Sequence, residues 1–207
     1  LIAVTGTNGK SSIADFYFQL LNLSNKKVAS IGTLGIKTKN NLKKVSNTTL
    51  DPIGLSKILN DLKKQKIDNV ILEASSHGLK QNRLDGLKFN TAIFTNLSHD
   101  HLDYHKTFND YLESKLYLFE KLLKSRGNII TDSKIPEYKN LKKISLNNKF
   151  NLQVLSKSNN GIDIYSHQFK DDKQIIEIIH NEKHCKLQTD LIGKIQLKNL
   201  FMAMLAA

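Results

Sequence analysis

The residues that most restrict the fold are the first twelve, Leu1-Ile-Ala-Val-Thr5-Gly6-Thr7-Asn8-Gly9-Lys10-Ser11-Ser12. The uninterrupted apolar start reads as a buried strand, which breaks at Gly6 and Gly9. Residues 11–23 then set Ile13, Phe16, Tyr17, Leu20 and Leu21 on one helical face. A strand that turns through glycines into a helix exposes backbone N–H groups where the helix dipole favours an anion. The full pattern G-x-x-x-x-G-K-[ST] asks for glycine at position 4, where Val4 stands, so residues 6–11 form a shortened phosphate loop. In such a loop Lys10 reaches the terminal phosphates and Ser11 offers a hydroxyl to Mg²⁺. The plainer alternative is a tight turn carrying an exposed lysine.

The alternation continues downstream. Residues 27–31 predict a second strand, and the basic stretch 37–44 a solvated loop or hairpin tip. Asp51 caps a helix with Pro52 at its first position. That helix runs to about residue 66, with Ile53, Leu55, Ile58, Leu59 and Leu62 inward. Residues 69–74, 91–95 and 127–131 read as further buried strands, and a long helix spans 107 to about 124. Apolar strands alternating with helices predict an α/β fold, a mostly parallel sheet flanked by helices on both faces. Beyond residue 140 short alternating segments predict a small antiparallel subsidiary sheet, about 141–192, before a last helix. The expected organisation is one unit over 1–207, with 1–140 as the α/β core.

Three polar clusters follow predicted strands, at the edge where open α/β sheets bind ligands. The first is the phosphate loop. The second begins at Glu73, a carboxylate ending an apolar strand, costly there without a partner such as a metal ion. The third, residues 96–105, holds His99, Asp100, His101, Asp103 and His105. It approaches the zinc-hydrolase pattern H-x-H-x-D-H, but Tyr104 follows Asp103 and the last histidine falls one residue late. That hydrolase fold also lacks a phosphate loop, which sets the zinc reading aside.

Lys115 interrupts an otherwise apolar stripe of Phe108, Leu112, Phe119 and Leu122. Two resolutions stay open. Spacing alone favours an ammonium that snorkels to water. The other is a neutral amine in a dry site, able to add CO₂ and become a carbamate that holds Mg²⁺.

The net charge of +12 raises nucleic acid as a partner. The excess is scattered lysine, with Arg83 and Arg126 as the only arginines, so no nucleic-acid partner is expected. No apolar run reaches the roughly eighteen residues of a membrane span. Cys185 is the single cysteine, which excludes an internal disulfide and makes the cytoplasm the expected compartment. Both ends fall inside apolar runs, so the sequence is expected to be part of a longer protein.

Taken together, Thr5-Gly6-Thr7-Asn8-Gly9-Lys10-Ser11, Asn47-Thr48-Thr49, Glu73-Ala-Ser-Ser-His-Gly-Leu-Lys-Gln81-Asn-Arg83 and Phe94-Thr-Asn-Leu-Ser-His-Asp-His-Leu-Asp-Tyr-His105 resemble the central, ATP-binding domain of the Mur ligases. The resemblance spans essentially the whole chain. It is greatest to the ligase that adds the third residue of the peptidoglycan stem peptide. The resemblance implies that Gly6, Thr7, Asn8, Gly9, Lys10, Ser11 and Ser12 cradle the phosphates of ATP, with Asn199 on the nucleotide. It implies Mg²⁺ ligation by Glu73 and His101 with Ser11 nearby, and catalytic roles for Lys10 and His101. Lys115 matches the family's carbamylated lysine, also catalytic and metal-holding, which reverses the preference for snorkelling. Asn47, Thr48, Thr49, Ser75, Gln81 and Arg83 match positions that contact the UDP-MurNAc-dipeptide.

Two departures stand out. Leu50 replaces the proline of a frequent Thr-Thr-Pro, and Ile195-Gln196-Leu197-Lys198-Asn199 replaces Phe-Asn-x-x-Asn, which puts Gln196 in doubt as a nucleotide contact. The implied activity is ATP-dependent addition of meso-diaminopimelate or L-lysine to UDP-MurNAc-L-Ala-D-Glu through an acyl phosphate. The expected enzyme is a cytoplasmic monomer whose N-terminal UDP-binding and C-terminal amino-acid-binding domains lie outside this chain. A folylpolyglutamate-synthase-like ligase, which shares the loop, and a nucleotide-binding module without ligation are the alternatives.

Overall fold

Strand β1, Ile2–Thr5, is wholly buried and lies deep inside the sheet. The computed structural model describes residues 1–100, 104–155, 161–170 and 173–207. After β1 come α1 (Lys10–Leu23), β2 (Val28–Gly32), the hairpin strands β3 (Gly35–Thr38) and β4 (Asn41–Lys43), and α2 (Pro52–Lys64). Then follow β5 (Asn69–Glu73), α3 (Ser76–Lys80), β6 (Phe89–Phe94) and α4 (Phe108–Tyr117), which continues into a π-helical turn, Leu118–Leu122. The last part holds β7 (Leu123–Asp132), α5 (Tyr138–Asn148), β8 (Asn151–Leu155), β9 (Gly161–Lys170), β10 (Lys173–His180), β11 (Lys183–Thr189) and α6 (Lys194–Ala206).

These strands make one sheet in the order β11-β10-β9-β8-β7-β6-β1-β5-β2-β3-β4. The pairings β2–β5, β5–β1, β1–β6, β6–β7 and β7–β8 are parallel. Strand alternation divides the core. Ala3, Leu72 and Phe94 face one layer with Leu55, Leu62 and Phe119. Ile2, Val4, Ile71 and Ile93 face the other, against Ile13, Tyr17 and Leu21 of α1 and Phe201 and Met202 of α6. Fully burying a side chain of this size contributes about 1.5–3 kcal/mol, so a central strand apolar on both faces is the expected economy of a sheet covered twice. Chain reversal on either side of β1 brings the carboxyl ends of β1, β5 and β6 together, the crevice where ligands bind in such sheets.

Several expectations change in detail. The parallel part runs past residue 140, because α5 and β8 extend it to residue 155. The antiparallel strands β9–β11 are present where expected. They continue the main sheet through two β8–β9 pairs, Val154↔Gly161 and Leu155↔Ile162, rather than forming a separate layer. Ile53 points outward, 69% exposed, because the first turn of α2 overhangs the core. The helix expected to reach residue 124 ends at 122. Its π turn inserts one extra residue, so that Leu118, Phe119 and Leu122 all bury, and β7 starts at once with Leu123. Phe108, read as an inward residue, is at the surface. Among the described residues, no helix is long and apolar enough to cross a membrane.

Helix α4 begins with a side-chain cap, Thr107 Oγ1 accepting from Asp110 N at 3.0 Å. Thr107→Ala is expected to cost about 1 kcal/mol. Urea unfolding followed by circular dichroism reads this directly; an unchanged midpoint would show that the cap adds nothing to α4.

Candidate active site

The phosphate loop is moulded against the end of β6. Gly6 has φ +142°, and a Cβ there would lie 1.8 Å from Thr95 Oγ1. Thr95 Oγ1 donates to Asn8 O at 2.6 Å, Asn8 N donates to Asn96 Oδ1 at 3.0 Å, and Thr7 N donates to Asn96 O at 2.9 Å. Gly9 ends the loop at φ +89°, and a Cβ there would meet Asn199 Oδ1 at 2.7 Å. Asn199 is therefore seated against the loop by α6, and it leaves no room for a side chain at position 9.

Lys10 Nζ donates to Gly6 O at 2.9 Å and Thr7 O at 2.8 Å, folding over its own loop. Burial lowers its pKa, and the carboxylates of Glu73 and Asp100 act against that shift.

Glu73 is 3% exposed, and its carboxylate accepts three hydrogen bonds. Oε2 accepts from Ser11 Oγ at 2.9 Å and Thr33 Oγ1 at 3.1 Å, and Oε1 accepts from Thr33 N at 2.9 Å. A carboxylate and hydroxyl oxygens gathered beside a phosphate loop form an all-oxygen donor set, the chemistry that suits a hard cation such as Mg²⁺. The residues present therefore fit that ion.

Glu73 reaches this position across a glycine, since a Cβ on Gly32 would fall 2.1 Å from Oε1. Gly32→Ala is expected to push the carboxylate off Ser11 and Thr33. Charged hydrogen bonds of this kind are worth about 1.5–3 kcal/mol, and a fall in melting temperature measures their loss. A melt indistinguishable from the parent would mean that Glu73 relaxes without cost.

The residues expected to contact the acceptor line the same cavity, about 490 Å³ in volume. Its lining includes loop residues 7–12, Thr33, Glu73 and all of Asn47, Thr48, Thr49, Ser75, Gln81 and Arg83. Thr49 Oγ1 donates to Glu73 O at 2.9 Å and accepts from Ser75 N at 2.9 Å. Arg83 Nη1 donates to Thr49 O at 2.8 Å, and Nε donates to Gln81 Oε1 at 2.8 Å. Thr33 also sits 3.0 Å from Thr48 through their hydroxyls, which joins Glu73 to the Asn47–Arg83 group.

Lys115 does not snorkel. It is 1% exposed, and its Nζ donates to Gly6 O at 3.0 Å from behind the loop. The amine lies over the Tyr111 ring, 4.4 Å from the centroid. Burial, then the neighbouring Lys10 charge, lowers its pKa from 10.5 to about 7. Spacing alone favours a snorkelling lysine, but α4 presses this face on the phosphate loop, so the side chain has no route to water.

His101 and Asp103 lie outside the described residues. His99 packs against the Phe108 ring, centroids 5.1 Å apart. His105 is wholly buried, and burial depresses its pKa while Asp110 opposes the shift. Thr33, His77 and Tyr104 were not among the expected site residues. Thr33 had a signal, since it directly follows a buried strand on the same edge as Glu73. His77 lies within a motif already noted, but nothing in its spacing marks it as cavity-lining.

Comparison with known proteins matches residues 4–207 to the family described as Mur ligase middle domain. A curated relative from Wigglesworthia glossinidia brevipalpis, UDP-N-acetylmuramoyl-L-alanyl-D-glutamate--2,6-diaminopimelate ligase, is 37% identical over 216 residues. That match covers 100% of this chain and 42% of the relative. A solved structure of a ligase of the same name superposes with a TM-score of 0.88 at 31% identity, covering 99% of this chain and 42% of that one. Mycobacterium tuberculosis folylpolyglutamate synthase, solved with ADP and AMPPCP, superposes with a TM-score of 0.73 at 15% identity, over 99% of this chain and 53% of that one. That last likeness speaks to the fold alone. The chain spans less than half the length of the curated relative named here.

Proposed function

This chain belongs to the Mur ligase family, matching its middle domain, and from that membership we propose that it is the ATP-handling centre of an amide-bond ligase. The acceptor is UDP-MurNAc-L-Ala-D-Glu and the incoming amino acid is 2,6-diaminopimelate. The observation that carries the reading is that one cavity of about 490 Å³ is lined by both the phosphate loop and the Asn47–Arg83 group, with Glu73 hydrogen-bonded to Ser11 on one side and Thr49 on the other. The relatives' printed names support the acceptor and the amino acid.

Two substrates held in one cavity can react in line. The acceptor carboxylate oxygen attacks the γ-phosphorus of ATP, the bond to the β-phosphate oxygen breaks, and ADP leaves. The amine of diaminopimelate then adds to the acyl phosphate, loses a proton, and expels phosphate as the amide forms. Positioning and charge neutralisation supply most of the catalysis in phosphoryl transfer. Lys10 swings from its own loop carbonyls to the terminal phosphate oxygens. Residues 6–12 cradle the remaining phosphates with backbone N–H groups, with Asn199 on the nucleotide. Arg83, with Gln81, Ser75, Asn47, Thr48 and Thr49, holds the anionic acceptor; a guanidinium fork pairs well with carboxylate or phosphate.

Mg²⁺ would be held by Glu73 and His101, with Ser11 near the nucleotide-associated ion and a Lys115 carbamate on a second ion, and would neutralise phosphate charge. The buried Lys115 amine is suited to that modification, because its neutral form keeps a lone pair that can bond to the carbon of CO₂ as an N–H proton departs. The reaction draws on ATP, and we place the enzyme in the cytoplasm as a monomer.

The test is an assay of the complete ligase with ATP, UDP-MurNAc-L-Ala-D-Glu and either diaminopimelate or L-lysine. The expected product is the diaminopimelate adduct, identified by mass. A lysine adduct overturns the amino-acid assignment. Absence of both, with glutamate added to a folate instead, overturns the acceptor in favour of a folylpolyglutamate-synthase-like enzyme.

A further inference from the structure

Tyr104 contacts two residues of the cavity lining, His77 and Gln81. Its ring lies on His77, centroids 4.0 Å apart, and meets His105 edge-on at 5.0 Å. His105 packs on Tyr111 at 4.9 Å, and the Tyr111 hydroxyl is 3.1 Å from Thr7 Oγ1 in the phosphate loop. At its other end the Tyr104 phenol meets Gln81, with Oη 3.1 Å from Nε2.

The donor and acceptor roles here are forced. A guanidinium only donates, so Arg83 Nε, at 2.8 Å, requires the Gln81 oxygen to face it. The Gln81 amide nitrogen then faces Tyr104 and donates to the phenol oxygen. Gln81 is therefore held from both sides, and Arg83 is held by Gln81 and by Thr49 O at 2.8 Å. Remove the phenol and one anchor of the amide is gone; a surface amide held from one side rotates, and Arg83 loses a fixed partner.

We infer that Tyr104 is a positioning residue for the acceptor: it sets the Gln81 amide, and through it aims the Arg83 guanidinium at the anionic group of the substrate. The inference rests on the acceptor-side reading of the cavity proposed above. Tyr104 is a better fit to this task than a simple wall residue, because its ring is fixed by two imidazoles while its hydroxyl does the orienting.

Tyr104→Phe removes only the hydroxyl and keeps the stacked ring. Arg83 and Arg126 are the only arginines of this chain, so its ¹⁵N spectrum holds two arginine Nε–H signals. In Tyr104→Phe the Arg83 signal is expected to shift and to exchange with water about fivefold faster, the effect of one lost hydrogen bond, while Arg126 stays put. In the complete ligase the same change is expected to raise the acceptor KM by about fivefold, with kcat and the KM for ATP unchanged. Tyr104→Ala, which also removes the stack, should raise the acceptor KM further.

An unmoved Arg83 signal in Tyr104→Phe overturns the inference. So does an equal rise in KM for ATP and acceptor, or a fall in melting temperature larger than one lost hydrogen bond accounts for, since each points to general packing. If the unaltered complete ligase does not use the muramoyl-dipeptide, the acceptor reading falls; the Arg83 spectrum still decides whether Tyr104 sets that side chain.

Discussion

Replacing Lys115 with methionine is expected to stabilise this domain near pH 6 in CO₂-free buffer, with the gain vanishing near pH 11. The amine is 1% exposed, and burial followed by the Lys10 charge brings its pKa from 10.5 to about 7. Below pH 7 folded and unfolded chains both carry the proton, and the folded chain bears the full cost of a buried ammonium. Between about 7 and 10.5 the folded chain has released a proton that the unfolded chain retains, so stability rises with pH. Above 10.5 the cost is gone. The span between the two values corresponds to roughly 4–5 kcal/mol, so even half of it is measurable by urea unfolding at a series of pH values. A pH-independent difference between Lys115→Met and the parent would show that the amine is ionised in the folded chain throughout.

The same position carries a functional expectation of opposite sign. A buried amine that destabilises the fold is retained for what it does, a trade found where sites need groups the core would reject. In the complete ligase Lys115→Ala is expected to lose most turnover and to recover part of it when a small carboxylate such as acetate is added. Recovery would identify a missing carboxylate, as the proposed carbamate requires. No recovery, together with an unmodified mass for the parent chain, assigns Lys115 to supporting the loop through Gly6 O alone.

The second large effect concerns Lys10. Lys10→Ala should lower kcat of the complete ligase on the order of 10³-fold, the scale set by removing one preorganised charge from a phosphoryl-transfer site. The acceptor KM should hardly move, because Lys10 touches Gly6 O and Thr7 O and none of the Asn47–Arg83 group. Acyl-phosphate formation in a single turnover separates this from slow product release. Undiminished activity would remove the phosphate-loop assignment altogether.

Local patterns gave much of this molecule. The apolar start, the glycines and the stripe through Ile13, Tyr17 and Leu21 define β1, the loop and α1 without any long-range information, because each depends on neighbours in sequence. The six residues that the resemblance assigns to the acceptor line one cavity. Residues at margins were not legible. Ile53 and Phe108 continue the right periodicity but sit where their helices overhang the core, and periodicity does not report how far a core extends. Helix α5 and strand β8 were hidden by a polar, lysine-rich stretch with few buried positions. Thr33 became significant only because β2 and β5, neighbours in the sheet, end at the same level, which puts its amide 2.9 Å from Glu73.

The sequence by itself determined that a phosphate loop follows a central buried strand, that carboxylate and histidine clusters follow other strands, and that the strands alternate with helices. These are statements about spacing along the chain. Only the tertiary structure decided what Lys115 is. It lies 109 residues from Gly6 in sequence and 3.0 Å from its carbonyl in space. No rule of helical spacing separates a lysine that reaches water from one sealed behind a loop. The difference is the direction in which α4 is pressed against the sheet, and that is set by packing contributed from the whole length of the chain.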